Sequence, residues 1–281
     1  MYPQIVRLLP LAACLPVLLA AQDPKEIIRR AMALDQRNAE AALNYTFLQR
    51  TDMRQLDGSG KVKERKIQTW DVTLLEGSPY KRLVARNDQP LSPEEQKWEQ
   101  EKLRKSNEDR RKETEEQRQK RVADWRRKQQ RQREDIREFP DAFDFRLAGE
   151  ERLNGFDVWV IDATPHPGFR AGASNARALF PNVKGRFWVA KDSYGWVKAD
   201  VEAIDTISLG VFLVRVSKGS RVVLEQTRVN GEVWLPKKWI IKASARIFLV
   251  RNIRVDAQYD FSEYRKFQAD SRIVTGAATV P

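Results

Sequence analysis

The stretch Gly185-Arg186-Phe187-Trp188-Val189-Ala190-Lys191-Asp192-Ser193-Tyr194-Gly195-Trp196-Val197-Lys198-Ala199-Asp200 decides the fold. Phe187 and Val189 recur at a spacing of two, as do Val197, Ala199 and Val201. That spacing is the side-chain period of a β-strand. Between the two runs stand Asp192, Ser193, Tyr194 and Gly195, a set with turn chemistry. The reading is a β-hairpin.

The same grammar extends in both directions. Asn154-Gly155 and Asn230-Gly231 are hairpin turns, because both central residues of a type I′ turn need positive φ. Phe143, Phe145 and Leu147 alternate before the first of these, and Phe156, Val158 and Val160 after it. Segments 221–229 and 232–250 flank the second. Trp239, Ile241, Ala243, Ala245, Ile247 and Leu249 alternate with mostly polar neighbours, as do Ile253, Val255, Ala257, Tyr259 and Phe261. Nearer the start, 44–50, 61–75 and 80–86 read as strands. Trp70, Val72 and Leu74 lie on one face of the second, with Thr69, Asp71 and Thr73 on the other. Ten or eleven strands joined by short turns predict an α+β protein built on a single large antiparallel sheet.

Two segments break the pattern. Residues 24–38 carry Ile27, Ile28, Ala31, Met32 and Leu34 at helical spacing, with Asp23 as cap and Pro24 at the first position. Residues 92–138 form a charged helical insertion. From 94 to 138 there are 16 basic and 13 acidic residues and no Gly or Pro. Ser92-Pro93-Glu94-Glu95 starts it as a capping box and Pro140 ends it. No heptad seam runs through it. The reading is one long helix or a two-helix hairpin, laid on the sheet by Trp98 and Trp125. The organisation is therefore 1–21 as an export segment, 22–91 and 139–281 as the sheet domain, and 92–138 as the insertion.

The first residues are for export. An apolar run over 8–21 follows Arg7 and is too short to span a membrane. Cleavage after Ala20 or Ala21 fits a periplasmic protein. Leu11-Ala12-Ala13-Cys14 also looks like a lipobox, but the apolar run continues beyond Cys14, which disfavours a lipid anchor there.

The chain of 281 residues has 51 basic and 39 acidic residues, a formal charge of +12, and is 41% hydrophobic. That is enough apolar material for a core. One cysteine excludes a disulfide framework or a cysteine-based zinc site. One histidine, His166, sits in the turn-rich Thr164-Pro165-His166-Pro167-Gly168 with no nucleophile motif. Glu150-Glu151 and Asp141/Asp144 read as solvated carboxylates, and no phosphate loop occurs. The expectation is a non-enzyme without metal or cofactor. The basic run 118–133, opened by Arg118 and closed by Arg133, has eight Lys or Arg against Asp124 alone. In an exported protein its partner is not nucleic acid; the run reads as a solvated face, or as a contact for anionic headgroups or an acidic protein.

The order of export segment, helix, Tyr45-Thr46-Phe47 entering a meander, the hairpin of 185–200, and Tyr264-Arg265-Lys266-Phe267 after the last strand resembles the exported outer-membrane lipoprotein-sorting proteins of the LolA/LolB-like superfamily. The resemblance covers about 25–91 and 139–267. It implies an unclosed antiparallel barrel of about eleven strands, wrapped around helices, with an apolar cavity for acyl chains. The role it implies is lipid or lipoprotein binding by a monomer, with a lipid-sensing or interaction module as the alternative, using the insertion as a docking arm. The compact carrier pattern lacks such an insertion. An outer-membrane barrel is disfavoured by the charged strand faces. The expected cavity residues are Trp70, Val72, Leu74, Phe187, Val189, Leu209, Phe212 and Leu213. The run 204–216, apolar beyond the needs of one strand, is expected to line or close the pocket.

Overall fold

The structure, a computed structural model, describes residues 22–172, 174–209, 214–248 and 251–266. The export segment and Cys14 lie outside the described residues.

Helix α1 (Pro24–Ala42) starts at Asp23, whose carboxylate accepts from the Lys25 N–H at 2.9 Å. It buries Ile27, Ile28 and Ala31. The first strands follow: β1 (Tyr45–Leu56), β2 (Val62–Leu75), β3 (Ser78–Arg86) and the two-residue β4 (Gln89–Pro90). Then come α2 (Pro93–Arg111), α3 (Glu115–Asp135) and the single turn α4 (Phe139–Ala142). Strands β5 (Phe143–Leu153) and β6 (Phe156–Pro165) precede α5 (Ser174–Leu179) and a 3-10 turn, Phe180–Asn182. The rest is β7 (Val183–Ala190), β8 (Trp196–Ala203), β9 (Ile207–Leu209), β10 (Val214–Val216), β11 (Arg221–Val229), β12 (Val233–Ile247) and β13 (Arg251–Lys266). Asn154-Gly155 and Asn230-Gly231 take the positive φ their turns require.

Among the described residues thirteen strands form one antiparallel sheet, with the order β4-β3-β2-β1-β13-β12-β11-β8-β7-β6-β5 along its main path. This path of eleven strands does not close on itself. The hairpin β9–β10 pairs instead with the far end of β12, Val214 opposite Ile247. The first and last long strands, β1 and β13, meet in the middle of the sheet.

Opposed residues of neighbouring strands share a face. One such row runs Leu147, Ile161, Phe187, Ala199, Leu224, Trp239, Tyr259, Thr51. The next runs Phe145, Ala163, Gly185, Val201, Val222, Ile241, Ala257, Met53. This apolar face is the inner one, because α1 and the short helices pack on it at the β5–β8 end. The opposite face carries ion pairs. Asp162 lies between Arg146 and Arg186, and Asp200 pairs with Arg221. Asp52 pairs with Arg65 at 2.6 Å and Arg54 at 3.1 Å, and Arg50 with Asp88 at 2.6 Å.

The insertion is two helices. The Ser92–Glu95 capping box forms as expected. A loop between neighbouring strands would return the chain to its starting edge; instead α2 and α3 connect β4 and β5, the opposite edges of the sheet. Trp98 does not hold it there. Trp98 is exposed, with the Lys102 ammonium over its ring. Arginines hold it. Arg110 donates to the carbonyls of Leu75 at 2.6 Å and Ser78 at 3.1 Å, and Arg121 to that of Glu76 at 3.0 Å. Buried Glu99 accepts from the Leu83 N–H at 3.4 Å. Thus α2 satisfies backbone groups along the β3 edge that would otherwise await another strand. Helix α3 then carries the chain from the β2–β3 turn to α5.

Candidate functional site

The inner face is covered at one end only. Over β5–β8, α1 inserts Ile27, Ile28 and Ala31 among Trp159, Ile161, Phe187 and Val189. Phe139 of α4 stacks against Phe143 and Phe187 with centroids 4.8 and 5.2 Å away, and Phe143 meets Phe180 at 5.6 Å. This half of the trough is filled by the protein itself.

Over β11, β12, β13, β1 and β2 the same face carries Leu224, Trp239, Ile241, Tyr259, Phe261 and Trp70, all only partly buried. None of them belongs to the three buried clusters. Among the described residues, no helix packs substantially on β11, β13, β1 or β2 at this face. The aromatic rings contact one another: Trp239 lies 5.0 Å from Phe261, and Phe261 5.8 Å from Phe47. Met53 is 40% exposed at the end of the second row. The hairpin β9–β10 extends the face. Leu209 and Val216 are half-buried and pack on the covered core, while Val216 opposes Ala245 of β12. The result is an apolar trough, open along about half the sheet and bounded at one end by the packed core.

Each expected cavity residue can now be placed. Val189 is 0% exposed and Phe187 7%; both are sealed in the core beneath α1 and α4. Val72 is buried and opposes Phe47. Trp70 and Leu74 are half-buried on the same face of β2. Leu209 stands where the covered and open halves meet, and Phe212 and Leu213 lie outside the described residues. The sequence reading did not single out Leu224, Trp239, Ile241 or Tyr259, although their alternation was visible. Nothing local shows that no helix covers them.

His166 Nδ1 lies 2.8 Å from Asp144 Oδ1, both exposed. Asp141 pairs with Lys25 at 2.9 Å and with Arg29, which hold its carboxyl below the usual range. Among the described residues there is no group of three metal-ligating side chains, and no helix is long and apolar enough to cross a membrane. On the α3 surface, Trp125 lines a shallow hollow with Asp124, Arg127, Lys128 and Arg131.

The sequence matches no protein-family model, and no curated protein is similar to it. Solved structures similar to the chain include an outer membrane lipoprotein-sorting protein domain from Vibrio parahaemolyticus, 11% identical over 87% of this chain and 95% of that one, with a TM-score of 0.33. A LolA superfamily protein from Nitrosomonas europaea is 12% identical over 88% and 94%, with a TM-score of 0.28. The MucA/MucB complex of Pseudomonas aeruginosa supplies a chain 10% identical over 88% and 100%, with a TM-score of 0.25.

Proposed function

We propose that this chain is an exported, periplasmic lipid- or lipoprotein-binding protein without catalytic activity, which holds acyl chains against the open half of its inner face. One observation carries the reading. The face built by Leu224, Trp239, Ile241, Tyr259 and Phe261 is apolar and half-buried, while the opposite face of the same strands carries ion pairs of Arg221 with Asp200 and of Lys238 and Arg50 with Asp260. A sheet that only had to fold would cover such a face; an open contiguous apolar surface marks a binding site. An acyl chain suits it, because each buried CH₂ contributes about 0.8 kcal/mol and needs no polar partner.

Membrane contact belongs to the same proposal. Helix α3 presents Lys120, Arg126, Lys128 and Arg131, which make no ion pair among the described residues, beside the half-buried Trp125. Cations around an interfacial aromatic suit anionic headgroups.

Native mass spectrometry of the purified full chain, followed by organic extraction, tests the reading. A co-purifying acyl lipid, or uptake of a fluorescent fatty acid displaced by unlabelled oleate, is the expected result. Purified protein that carries no lipid and takes up none would overturn it in favour of an interaction module.

A further inference from the structure

Two lysines stand on the inner face at the β2–β3 end of the open trough. Lys66, opposite Met53, lies at an exposed end of β2. Lys81 is exposed as well, but it is held in place. It opposes Val72 on β2, which in turn opposes Phe47 on β1. Its ammonium donates at 2.9 Å to the side-chain oxygen of Gln49, itself a buried residue opposed to both Phe261 and Trp70. That hydrogen bond fixes the direction of the side chain: it points back along the trough toward the aromatic cluster.

The ammonium has a neutral partner and, among the described residues, no carboxylate. The nearby acids are already committed. Glu99 of α2 accepts from the Leu83 N–H and from Lys102, and Glu95 is held by Ser92 and Arg86. Asp71 points to the outer face, paired with Arg82 and Arg265. Lys81 as a residue is exposed, and the partial burial of its ammonium pulls its pKa below the ordinary lysine value. A partly desolvated ammonium whose hydrogen-bond partner is a neutral amide still has donors to offer, and an arriving oxyanion can take them.

We propose that Lys81 is the headgroup anchor of the trough: its ammonium, positioned by Gln49, pairs with the carboxylate or phosphate of an acyl lipid whose chain lies over Phe261 and Trp239. This rests on the acyl-binding reading above and adds to it a polarity, with the anionic end at β3 and the chain running toward β11. It also adds a selectivity for anionic over neutral amphiphiles. Carboxylate and phosphate share the recognition chemistry, one ammonium meeting one oxyanion.

The test compares three probes of equal chain length: palmitate, lysophosphatidic acid and the neutral alcohol hexadecanol. Each is titrated against the full-length protein, the Lys81→Gln variant and the Lys66→Gln variant. Wild type is expected to prefer the anionic probes by about tenfold, the range of one charge-assisted hydrogen bond. Lys81→Gln should lose that preference while keeping its affinity for hexadecanol, and Lys66→Gln should retain the wild-type pattern. Whichever of palmitate and lysophosphatidic acid loses more on substitution identifies the headgroup. An unchanged preference in Lys81→Gln, or an equal loss in Lys66→Gln, overturns the anchor. Absence of binding by all three probes to wild type overturns the acyl-binding reading itself, so the two failures are distinct. Circular dichroism of each variant confirms that the sheet is intact.

Discussion

Asn38 of α1 and Trp234 of β12 exchange two hydrogen bonds. The Asn38 Nδ2 donates to the Trp234 carbonyl at 2.7 Å, and the Trp234 N–H donates to Asn38 Oδ1 at 3.3 Å. A side-chain amide thereby takes the place of a strand at that point of the sheet and ties the helix that fills the inner face to the middle of the sheet. Both residues are buried. Asn38→Ala leaves a backbone N–H and carbonyl without partners and should cost about 1–3 kcal/mol. Urea denaturation reads this directly; an unchanged midpoint would show that α1 does not depend on the clasp.

Gly195 offers a second probe of the same region. A Cβ built there would stand 2.0 Å from Cε2 of Trp234, so the indole would have to move. Gly195→Ala should destabilise by about 1–3 kcal/mol through overpacking, with an altered tryptophan emission spectrum. A variant with wild-type stability and spectrum would mean that the indole has room to shift.

The trough predicts a separation of stability from binding. Leu224→Glu and Ile241→Glu place a charge where the side chain is already half-exposed. Their folding stability should change by less than about 1.5 kcal/mol, while fatty-acid binding falls at least tenfold. Val189→Glu should instead prevent folding, since Val189 is sealed in the core. Equal effects on binding and stability at Leu224 would place that side chain in the core.

Asp52 makes stability depend on pH. Hydrogen bonds from Arg65 and then Arg54 hold its carboxyl well below the usual carboxylate range, against the opposing effect of burial. A carboxyl depressed on folding stabilises at pH above its unfolded value, about 4, and that contribution drains away as pH falls below it. Chemical denaturation at pH 7 and pH 3 should show a loss on acidification that is smaller in Asp52→Asn by about 1–2 kcal/mol. Identical pH dependence in the two proteins would refute the assignment.

Replacing 93–138 with a Gly/Ser linker tests the insertion. Closure entropy alone would make that segment dispensable, since surface loops cost little to lengthen or shorten. The structure predicts otherwise. Without Arg110, Arg121 and Glu99, the backbone groups they satisfy on β3 and at the β2–β3 turn lose their partners. The shortened protein should keep its strand signal in circular dichroism but show a lower Tm and more self-association than the full chain by light scattering. Equal Tm and equal mass distribution would restore the view of a detachable arm.

Local chemistry determined much of this protein. The period-two alternation placed the strands, the Asn-Gly pairs placed two hairpins, and Asp23 and Ser92 marked the helix starts, because each depends only on residues a few positions apart. The tertiary structure alone decided the rest. A strand shows that one of its faces is apolar, but whether a helix from elsewhere in the chain covers that face depends on long-range packing. For this reason Phe187 and Val189 became core while Leu224 and Trp239, with the same alternation, stayed open. The same holds for the insertion, whose ends reach opposite edges because β1 pairs with β13, a contact separated by most of the chain. It holds most plainly for Lys81. In sequence it is one cation among 51 basic residues. Only the registers of β3 on β2 and β2 on β1 set its ammonium beside Gln49 on the inner face.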